Sequence, residues 1–146
     1  MRPGVARFFI DANIFLYAVG ADSPHRESSR KVLTAAGDGT LDAVTSSEVL
    51  QEILHVRTHH MGVEDAVRAV RAAANLVAEV LPVTREDVLE ACTLAERHPK
   101  LDARDALHAA VMKNAGLTLL ISIDAAFDAI HTLKRIGPKD ALRLLG

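Results

Sequence analysis

Short apolar runs alternate with longer stretches of helical periodicity along the whole chain. Apolar runs of this length, bounded by Gly, Pro, Ser or Asp, are typical of buried strands. They predict five strands, at residues 5–10, 41–45, 80–83, 117–123 and 133–136. The run at 117–123 is the clearest, and the last run fits an edge strand. Strands that are separated by helices favour an α/β fold with a parallel sheet.

Capping residues and glycines place the helices between these strands. Ser23-Pro24 predicts an N-cap followed by proline at the first helical position. Ser46 or Ser47 caps the next helix, and Thr84 caps another with an acid three residues later, close to a capping box. The predicted helices cover residues 23–36, 46–60, 63–79, 84–97 and 102–114, with shorter ones from residue 13, at 125–130 and at 139–144.

The composition suits one compact globular domain that covers residues 1–146. Hydrophobic residues make up 49% of the chain and charged residues 25%, so the chain can bury a core. The net charge of −2 provides no overall basic field, and a nucleic-acid partner would need a local patch or a bound metal.

The single cysteine, Cys92, excludes an internal disulfide and is expected to be a small buried residue. The sequence has no signal-like or membrane-spanning apolar stretch, so we expect a soluble cytoplasmic protein.

Four acidic residues recur in similar local settings although they are far apart in the sequence. Asp11 and Asp124 follow apolar runs, and Glu52 and Asp105 lie within two turns of predicted helix starts. In open parallel sheets, such positions meet beyond the C-terminal strand ends. Two unit charges about 4 Å apart repel by roughly 4 kcal/mol at an effective dielectric of about 20, so clustered carboxylates share a proton or hold a divalent metal. Oxygen ligands favour Mg²⁺ or Mn²⁺, and such a metal with water and phosphate indicates a phosphodiester hydrolase.

Each of these acids also has a purely structural interpretation. Asp11 and Asp124 could serve only as N-caps. Glu48 lies in the first turn of its helix, where the helix dipole favours any acid, and we interpret it as structural. Glu52 lies beyond that turn and is the functional candidate. Asp102 is the natural N-cap of its helix, and Asp105 lies in the first turn of that almost wholly apolar and therefore buried helix, where an acid needs a partner.

The spacings Glu52-x-x-His55 and Asp105-x-x-His108 also resemble the carboxylate–histidine motifs of di-metal helical bundles. That alternative needs four long helices and gives no role to the acids that follow strands. Asp128, one turn after the last strand-end acid, is expected to be exposed. A single cysteine excludes zinc sites with the usual cysteine spacing, and glycine-rich phosphate-binding motifs are absent from the sequence.

Four segments that carry these acids resemble the motifs of the PIN-domain family, above all those of VapC-like ribonuclease toxins. The segments are FIDAN at 9–13, SSEVLQE at 46–52, DALHAA at 105–110 and SIDAAF at 122–127. The resemblance runs from about residue 8 to residue 127 and implies a three-layer α/β/α sandwich with a central parallel sheet. By their place in the motifs, the metal-binding and catalytic acids would be Asp11, Glu52, Asp105 and Asp124.

The same resemblance implies a Mg²⁺-dependent endoribonuclease, with Mn²⁺ as a possible alternative ion. Metal-activated water would cleave RNA phosphodiester bonds, and Asn13, Ser46 and Ser122 would orient acids or water. A cognate antitoxin protein and a homodimer are expected, and the apolar helices around residues 49–56 and 67–77 could supply either contact surface. Candidate RNA contacts are the basic residues Arg7, Arg26, Arg30, Lys31 and Arg57.

Two other classes of protein remain as alternatives. A PIN-like binding or regulatory protein would keep the fold with an inactive or unused acidic site. Absence of nuclease activity over a series of metals, with tight binding of a partner, would support that class. A haloacid-dehalogenase-like phosphatase would need a second aspartate at position 13, where this chain has Asn13, and a suitably placed lysine that is not evident.

Overall fold

In a computed structural model that describes residues 6–146, the chain folds around a five-stranded parallel sheet. The strands are β1 (Arg7–Ile10), β2 (Asp42–Ser46), β3 (Glu79–Leu81), β4 (Leu119–Ile121) and β5 (Lys134–Ile136). They lie in the order β3-β2-β1-β4-β5, so β1 is central. The chain fills one side of β1 first and then crosses to the other side at β4. Open α/β sheets bind their ligands at such a reversal of strand order.

Seven α-helices and one 3₁₀ helix surround the sheet in the described part of the chain. They are α1 (Ala12–Val19), α2 (Arg26–Gly37), α3 (Ser47–Met61), α4 (Val63–Leu76), α5 (Arg85–Arg97), α6 (Ala103–Asn114), the 3₁₀ helix (Ala125–Ala129) and α7 (Pro138–Leu145). Helices α1 to α4 and α7 contact one another in one group, whereas α5 packs on α6. Two groups of helices around one sheet form a three-layer α/β/α sandwich, and the predicted fold class is confirmed.

The register of the sheet brings the ends of β1 and β4 together. Phe9 pairs with Val44 of β2 and with Leu120 of β4, and Ile10 pairs with Ile121. These side chains are fully buried, as expected for central strands that are covered on both faces. The chain therefore leaves β1 and β4 at the same level, and the loops that follow these strands lie side by side.

Side-chain caps determine where several helices begin. Ser46 Oγ accepts a hydrogen bond from the Val49 N–H at 3.2 Å and caps α3. Thr84 and Asp87 form a complete capping box at the start of α5. Asp102 caps α6 through the backbone of the first turn. The sequence predicted each of these three starts, because a cap depends only on residues within one helical turn.

The start of α2 differs from the prediction. The N-cap of α2 is His25, which makes no capping hydrogen bond with its side chain, and the helix begins at Arg26. Ser23 Oγ instead accepts a hydrogen bond from the His25 N–H at 3.2 Å, and Pro24 lies in a turn. The prediction that Ser23 caps the helix was wrong because its hydroxyl closes the preceding turn.

The end of α4 also differs from the prediction. The helix stops at Leu76, although the helical pattern continues as far as Glu79. The Ala78 N–H donates a hydrogen bond to the Ala43 carbonyl at 2.9 Å, and Glu79 pairs with Val44 as the first residue of β3. Pairing with β2 satisfies the backbone of this segment, and it therefore overrides the local helical preference.

Strands β3 and β4 are shorter than the apolar runs that predicted them. β4 covers Leu119–Ile121 of the predicted residues 117–123, and β3 covers Glu79–Leu81 in place of residues 80–83. The predicted first strand began at Val5, which lies outside the described residues. Apolar side chains beside a strand can be buried without joining its hydrogen-bond ladder, so burial alone does not set the strand ends.

Cys92 was expected to be buried, but it is exposed on α5. The buried positions of this helix are Asp87 and Leu94, and Cys92 lies on a different face. The apolar character of a thiol did not decide its position, because the packing of α5 on α6 selects another stripe of the helix. In residues 6–146, no helix is both long enough and apolar enough to cross a membrane.

Candidate active site

Asp11 is held by three hydrogen-bond donors at the C-terminal end of β1. Its Oδ1 accepts from the Ala12 N–H at 2.8 Å and caps α1. Its Oδ2 accepts from Ser122 Oγ at 2.7 Å and from Asn13 Nδ2 at 3.2 Å, and the residue is only 4% exposed. Burial raises the pKa of this carboxyl above its ordinary value, whereas His108 and the hydrogen bonds from Ser122 and Ala12 act in the opposite direction.

Ser122 and Asn13 connect the loop after β4 to the loop after β1. The buried Ser122 hydroxyl accepts hydrogen bonds from Asn13 Nδ2 and from the Asp124 N–H, both at 3.0 Å. Asn13 Oδ1 accepts from the Ile123 N–H at 3.3 Å. The same two side chains therefore orient the Asp11 carboxylate and position Asp124, whose own Oδ1 caps the 3₁₀ helix.

Asp105 and Asp124 form a pair of carboxyl groups in contact. Asp105 lies half-buried in the first turn of α6, after the cap Asp102. Burial, a hydrogen bond with the Asp124 carboxyl and the nearby negative charges, those of Asp11 and Asp102 included, raise the pKa of Asp105 to about 8. Asp105 therefore keeps its proton at pH 7, as expected for a carboxyl group that lies too close to other acids to ionise readily.

Glu52 approaches the same cluster from the second turn of α3. Its Oε1 lies 3.1 Å from His108 Nε2, and the same Nε2 lies 3.8 Å from Asp11 Oδ1. The fully buried His108 ring packs beside Phe9, with 6.2 Å between ring centroids. Arg104 Nε lies 3.9 Å from Glu52 Oε1 and is closer to solvent. The four predicted acids thus come from separate segments and lie together in one cluster.

The cluster is rich in carboxylate oxygens that can bind a metal ion, and it has little compensating positive charge. In residues 6–146, no group of three or more His, Cys, Asp or Glu side chains has an arrangement that could hold a metal ion. Mg²⁺ is usually bound through one or two carboxylates, and waters and substrate phosphate complete its octahedral shell. The chemistry of the four acids therefore suits a hard dication that keeps part of its water shell, and their arrangement is not the closed cage of a structural metal.

Glu48 and Asp128, the acids near Glu52 and Asp124 in sequence, have different surroundings from the four acids of the cluster. Glu48 Oε1 lies 3.7 Å from Arg104 Nε at the rim of the cluster. Asp128 is exposed and accepts two hydrogen bonds from Arg135, at 2.9 and 3.0 Å, which hold the pKa of its carboxyl below the ordinary value. Ser46 contacts none of these acids in the described hydrogen bonds, and it caps the first turn of α3, the helix that carries Glu52. Asp128 thus has a basic partner of its own, whereas Glu48 shares Arg104 with Glu52.

Sequence reasoning missed Arg104 and His108 as neighbours of the acids. The di-metal helical bundle that would have used His108 is wrong, because the chain forms a parallel sheet and His55 is exposed beside His59, with 4.4 Å between ring centroids. The spacing of the sequence did contain a signal. Residues three apart on a helix lie on one side, so His108 is directed to the same region as Asp105.

Three of the basic residues proposed as RNA contacts lie in ion pairs with acids, and the exposed Lys31, which pairs with Glu27 at 3.4 Å, is one of them. Arg7 lies at the N-terminal end of β1, away from the acidic cluster at the C-terminal end, and pairs with Asp42 at 3.6 Å and Glu79 at 3.0 Å. Arg57 is buried and pairs with Asp65 at 2.6 Å. These contacts engage both guanidinium groups within the protein, which argues against a role for either in binding RNA.

An acidic cluster beyond the central strands of a parallel α/β sheet defines a class of site suited to metal-assisted hydrolysis. Comparison with known proteins gives the family within that class. The model of the PIN domain matches residues 8–133. The chain belongs to the PIN-domain family.

Individual relatives and solved structures agree with this assignment. Ribonuclease VapC13 of Mycobacterium tuberculosis is 41% identical over 128 residues, which cover 88% of this chain and 98% of that protein. The crystal structure of M. tuberculosis VapC20, described as a sarcin-ricin loop cleaving toxin, matches with a TM-score of 0.71 at 22% identity, over 84% of this chain and 93% of that one. A toxin–antitoxin complex from Klebsiella pneumoniae matches with a TM-score of 0.63 at 15% identity, over 89% and 96%. At these low identities, the two structures support the fold alone.

Proposed function

We propose that this chain is a divalent-metal-dependent endoribonuclease and the toxin component of a type II toxin–antitoxin pair. The observation that carries the proposal is the cluster of Asp11, Glu52, Asp105 and Asp124, in which the pKa of Asp105 is raised to about 8. Crowded carboxyl groups destabilise one another when ionised, and a dication removes that repulsion. The names of curated relatives, which are VapC ribonucleases, favour RNA as the substrate.

The four acids of the cluster would hold the metal, with Mg²⁺ as the proposed ion and Mn²⁺ as the alternative. When bound, the ion neutralises charge on the RNA phosphate and lowers the pKa of a coordinated water. If Asp105 and Asp124 held the ion, Asp105 would give up the proton that its raised pKa retains. Metal affinity should therefore rise with pH up to the pKa of about 8.

Neighbouring residues orient the acids for this role. Ser122 and Asn13 hold one oxygen of Asp11, so this carboxylate has a defined direction before any ligand binds. Ser122 also fixes the backbone of Asp124. Ser46 orders the first turn of the helix that carries the glutamate. Such preorganisation lowers the cost of assembling the site around a metal and a phosphate.

An antitoxin partner is also proposed, and a groove beside the cluster is a suitable surface for it. The groove has a volume of about 620 Å³ and lies between the C-terminal ends of α1 and α3. Its lining includes Leu16, Tyr17, Val56 and Met61, and it extends to Asn13, which contacts Asp11. A chain bound in this groove would cover apolar side chains and block access to the acids.

A homodimer remains part of the proposal. Leu54 and Met61 of α3 and Val63 of α4 are large apolar side chains with exposed fractions of 39%, 61% and 63%. A second copy of the chain that packs on these two helices would remove them from water. Sedimentation velocity of the purified chain tests this, since Met61→Lys should shift a dimer towards the monomer.

RNA cleavage over a series of divalent metals tests the proposed activity. Asp11→Asn and Asp105→Asn should each abolish metal-dependent cleavage, because each removes a charged oxygen ligand. Asp128→Asn is the matched control: it makes the same chemical change outside the cluster and should cleave as the wild type does. Unchanged turnover in either cluster variant would refute the assignment. Wild-type protein that cleaves no RNA with any metal, yet binds a protein partner tightly, would instead support a PIN-like binding protein with an unused site.

A further inference from the structure

His108 is a fully buried histidine in the cluster, and the proposed function gives it no role. Its exposed fraction is 0%. Its Nε2 lies 3.1 Å from Glu52 Oε1 and 3.8 Å from Asp11 Oδ1. Its Nδ1 is buried and has no hydrogen-bond partner within the described part of the chain. Burying a ring nitrogen without a hydrogen-bond partner costs free energy. We therefore expect the contacts of Nε2 with the two acids to have a role that offsets this cost.

The two nitrogens of the His108 ring have different surroundings. Nε2 faces the carboxylate oxygens of Glu52 and Asp11, which accept hydrogen bonds when ionised. A hydrogen on Nε2 can therefore be donated to Glu52. A hydrogen on Nδ1 would be a buried donor without an acceptor, which is the more costly arrangement. The contacts thus favour the tautomer with its hydrogen on Nε2.

Glu52 depends on this donor more than Asp11 does. Asp11 accepts three other hydrogen bonds, all at 3.2 Å or less. For Glu52, the described hydrogen bond is the one from His108. Arg104 Nε, 3.9 Å away on a side chain that is 39% exposed, lies beyond hydrogen-bond distance. The longer glutamate side chain therefore takes its orientation mainly from the imidazole.

We propose that His108 is a positioning residue whose Nε2–H holds the Glu52 carboxylate beside Asp11, in the orientation that receives a divalent cation. This inference rests on the proposed function, because it concerns the order of that same site. Asp105 lies one turn before His108 on α6. One helix thus supplies an acid of the cluster and the donor that orients another acid. Residues that orient metal ligands by a hydrogen bond act in this way in many metal sites.

Two amide substitutions distinguish positioning from simple core packing. In His108→Gln, the amide nitrogen takes a place close to that of Nε2 and can still donate to Glu52. In His108→Asn, which is one methylene shorter, the amide lies near the place of Nδ1 and cannot reach Glu52. Isothermal titration of Mn²⁺ into both variants and the wild type measures the effect, and thermal denaturation of each sample measures folding. We expect His108→Asn to bind Mn²⁺ about 10–100-fold more weakly and His108→Gln to recover most of that loss.

Equal Mn²⁺ affinity in His108→Asn and the wild type would overturn the inference. Equal weakening of both amide variants, with unchanged melting temperatures, would also overturn it, because the Gln side chain retains the donor. Nitrogen-15 NMR of the wild-type ring needs no substitution and decides the matter if the variants fold poorly. A hydrogen on Nε2 supports the inference, and a hydrogen on Nδ1 contradicts it.

The same titration with Asp105→Asn separates this inference from the proposed function. If the wild type binds Mn²⁺ and Asp105→Asn does not, the metal site stands whatever the His108 variants show. In that case, wild-type affinity in His108→Asn rejects only the positioning role. If the wild type binds no Mn²⁺, the metal-dependent function and the role of His108 are both rejected.

Discussion

Asp11 and Asp105 belong to one cluster and both have raised pKa values, but the two sides of the cluster are built differently. Burial is the main cause at Asp11, whose oxygens already accept hydrogen bonds from three donors. At Asp105, burial acts together with direct contact with another carboxyl group, that of Asp124. Hydrogen-bond donors therefore hold Asp11 in place, and we call this the organised side of the cluster. Asp105 and Asp124 form the crowded side, which needs a proton or a cation to relieve the repulsion between like charges.

This difference indicates how the cluster combines a defined geometry with attraction for a cation. A cluster in which every carboxylate oxygen accepts hydrogen bonds would be stable but would attract a cation weakly. A cluster without donors would attract a cation strongly but would lack a defined geometry. Here the organised Asp11 side supplies direction, and the crowded Asp105 side supplies the attraction for positive charge.

The largest effect is expected from Asp105→Asn, which breaks the crowded side. RNA cleavage should fall by more than about 100-fold, beyond the loss typical of residues that only orient a ligand. The melting temperature of the metal-free protein at about pH 8 should rise, because the amide adds no negative charge to the cluster. Cleavage assays and thermal denaturation of the same preparation measure both effects. Loss of activity together with loss of stability would contradict this account of the crowded side.

Ser122→Ala breaks the organised side and should have the next largest effect. The hydroxyl donates to Asp11 and accepts from Asn13 and from the Asp124 backbone. Its removal should lower Mn²⁺ affinity by about 10–100-fold and stability by about 1–3 kcal/mol. Ser29→Ala is the matched control, since Ser29 is equally buried on α2 and its hydroxyl has no partner within residues 6–146. A Ser122→Ala variant with wild-type Mn²⁺ affinity would show that Asp11 needs no such support.

The pH dependence of the free energy of unfolding tests the crowded Asp105 side by itself. The pKa of Asp105 is raised from 3.8 to about 8 on folding, so the folded state binds more protons than the unfolded state between these values. The free energy of unfolding of the metal-free protein should therefore fall as the pH rises through this interval. We expect a smaller fall in Asp105→Asn and, with saturating Mg²⁺, in the wild type. Thermal denaturation at a series of pH values checks this, and parallel profiles for wild type and Asp105→Asn would exclude the predicted linkage.

The smallest effect is expected from Asp128→Asn, which lies outside both sides of the cluster. Asp128 is exposed and its partner Arg135 is also partly accessible, so their ion pair should contribute at most about 1 kcal/mol. Urea denaturation measures that loss, and titration with Mn²⁺ should give the wild-type affinity. A large drop in Mn²⁺ affinity would mean that the acidic cluster extends further than the described contacts indicate.

Sequence reasoning succeeded where the physics is local. The caps at Ser46, Thr84 and Asp102 each depend on a hydrogen bond within one helical turn. The apolar runs that form the central strands are buried on both faces, which makes them visible without tertiary information. The alternation of these strands with helices was then enough to predict a parallel α/β sheet.

The features that sequence reasoning missed depend on contacts between distant segments. The end of α4 is set by pairing of Glu79 with Val44 on β2. The contact between His108 and Glu52 joins residues 56 positions apart. The raised pKa of Asp105 requires the exact distance between α6 and the loop after β4. The four acids could be named from local motifs, but the donors and partners that give each one its own chemistry could not.

Calorimetric titration of Mn²⁺ at pH 7, in two buffers with different ionisation enthalpies, asks whether the four acids share one dication. The wild type should bind Mn²⁺ and release a proton, because Asp105, which forms a pair with Asp124, has a raised pKa and keeps its proton at that pH in the metal-free state. Asp105→Asn should bind far more weakly and release no proton from this pair. Wild-type protein that does not bind Mn²⁺, or an Asp105→Asn variant with the same affinity and the same proton release, would contradict the claim that these acids share one dication.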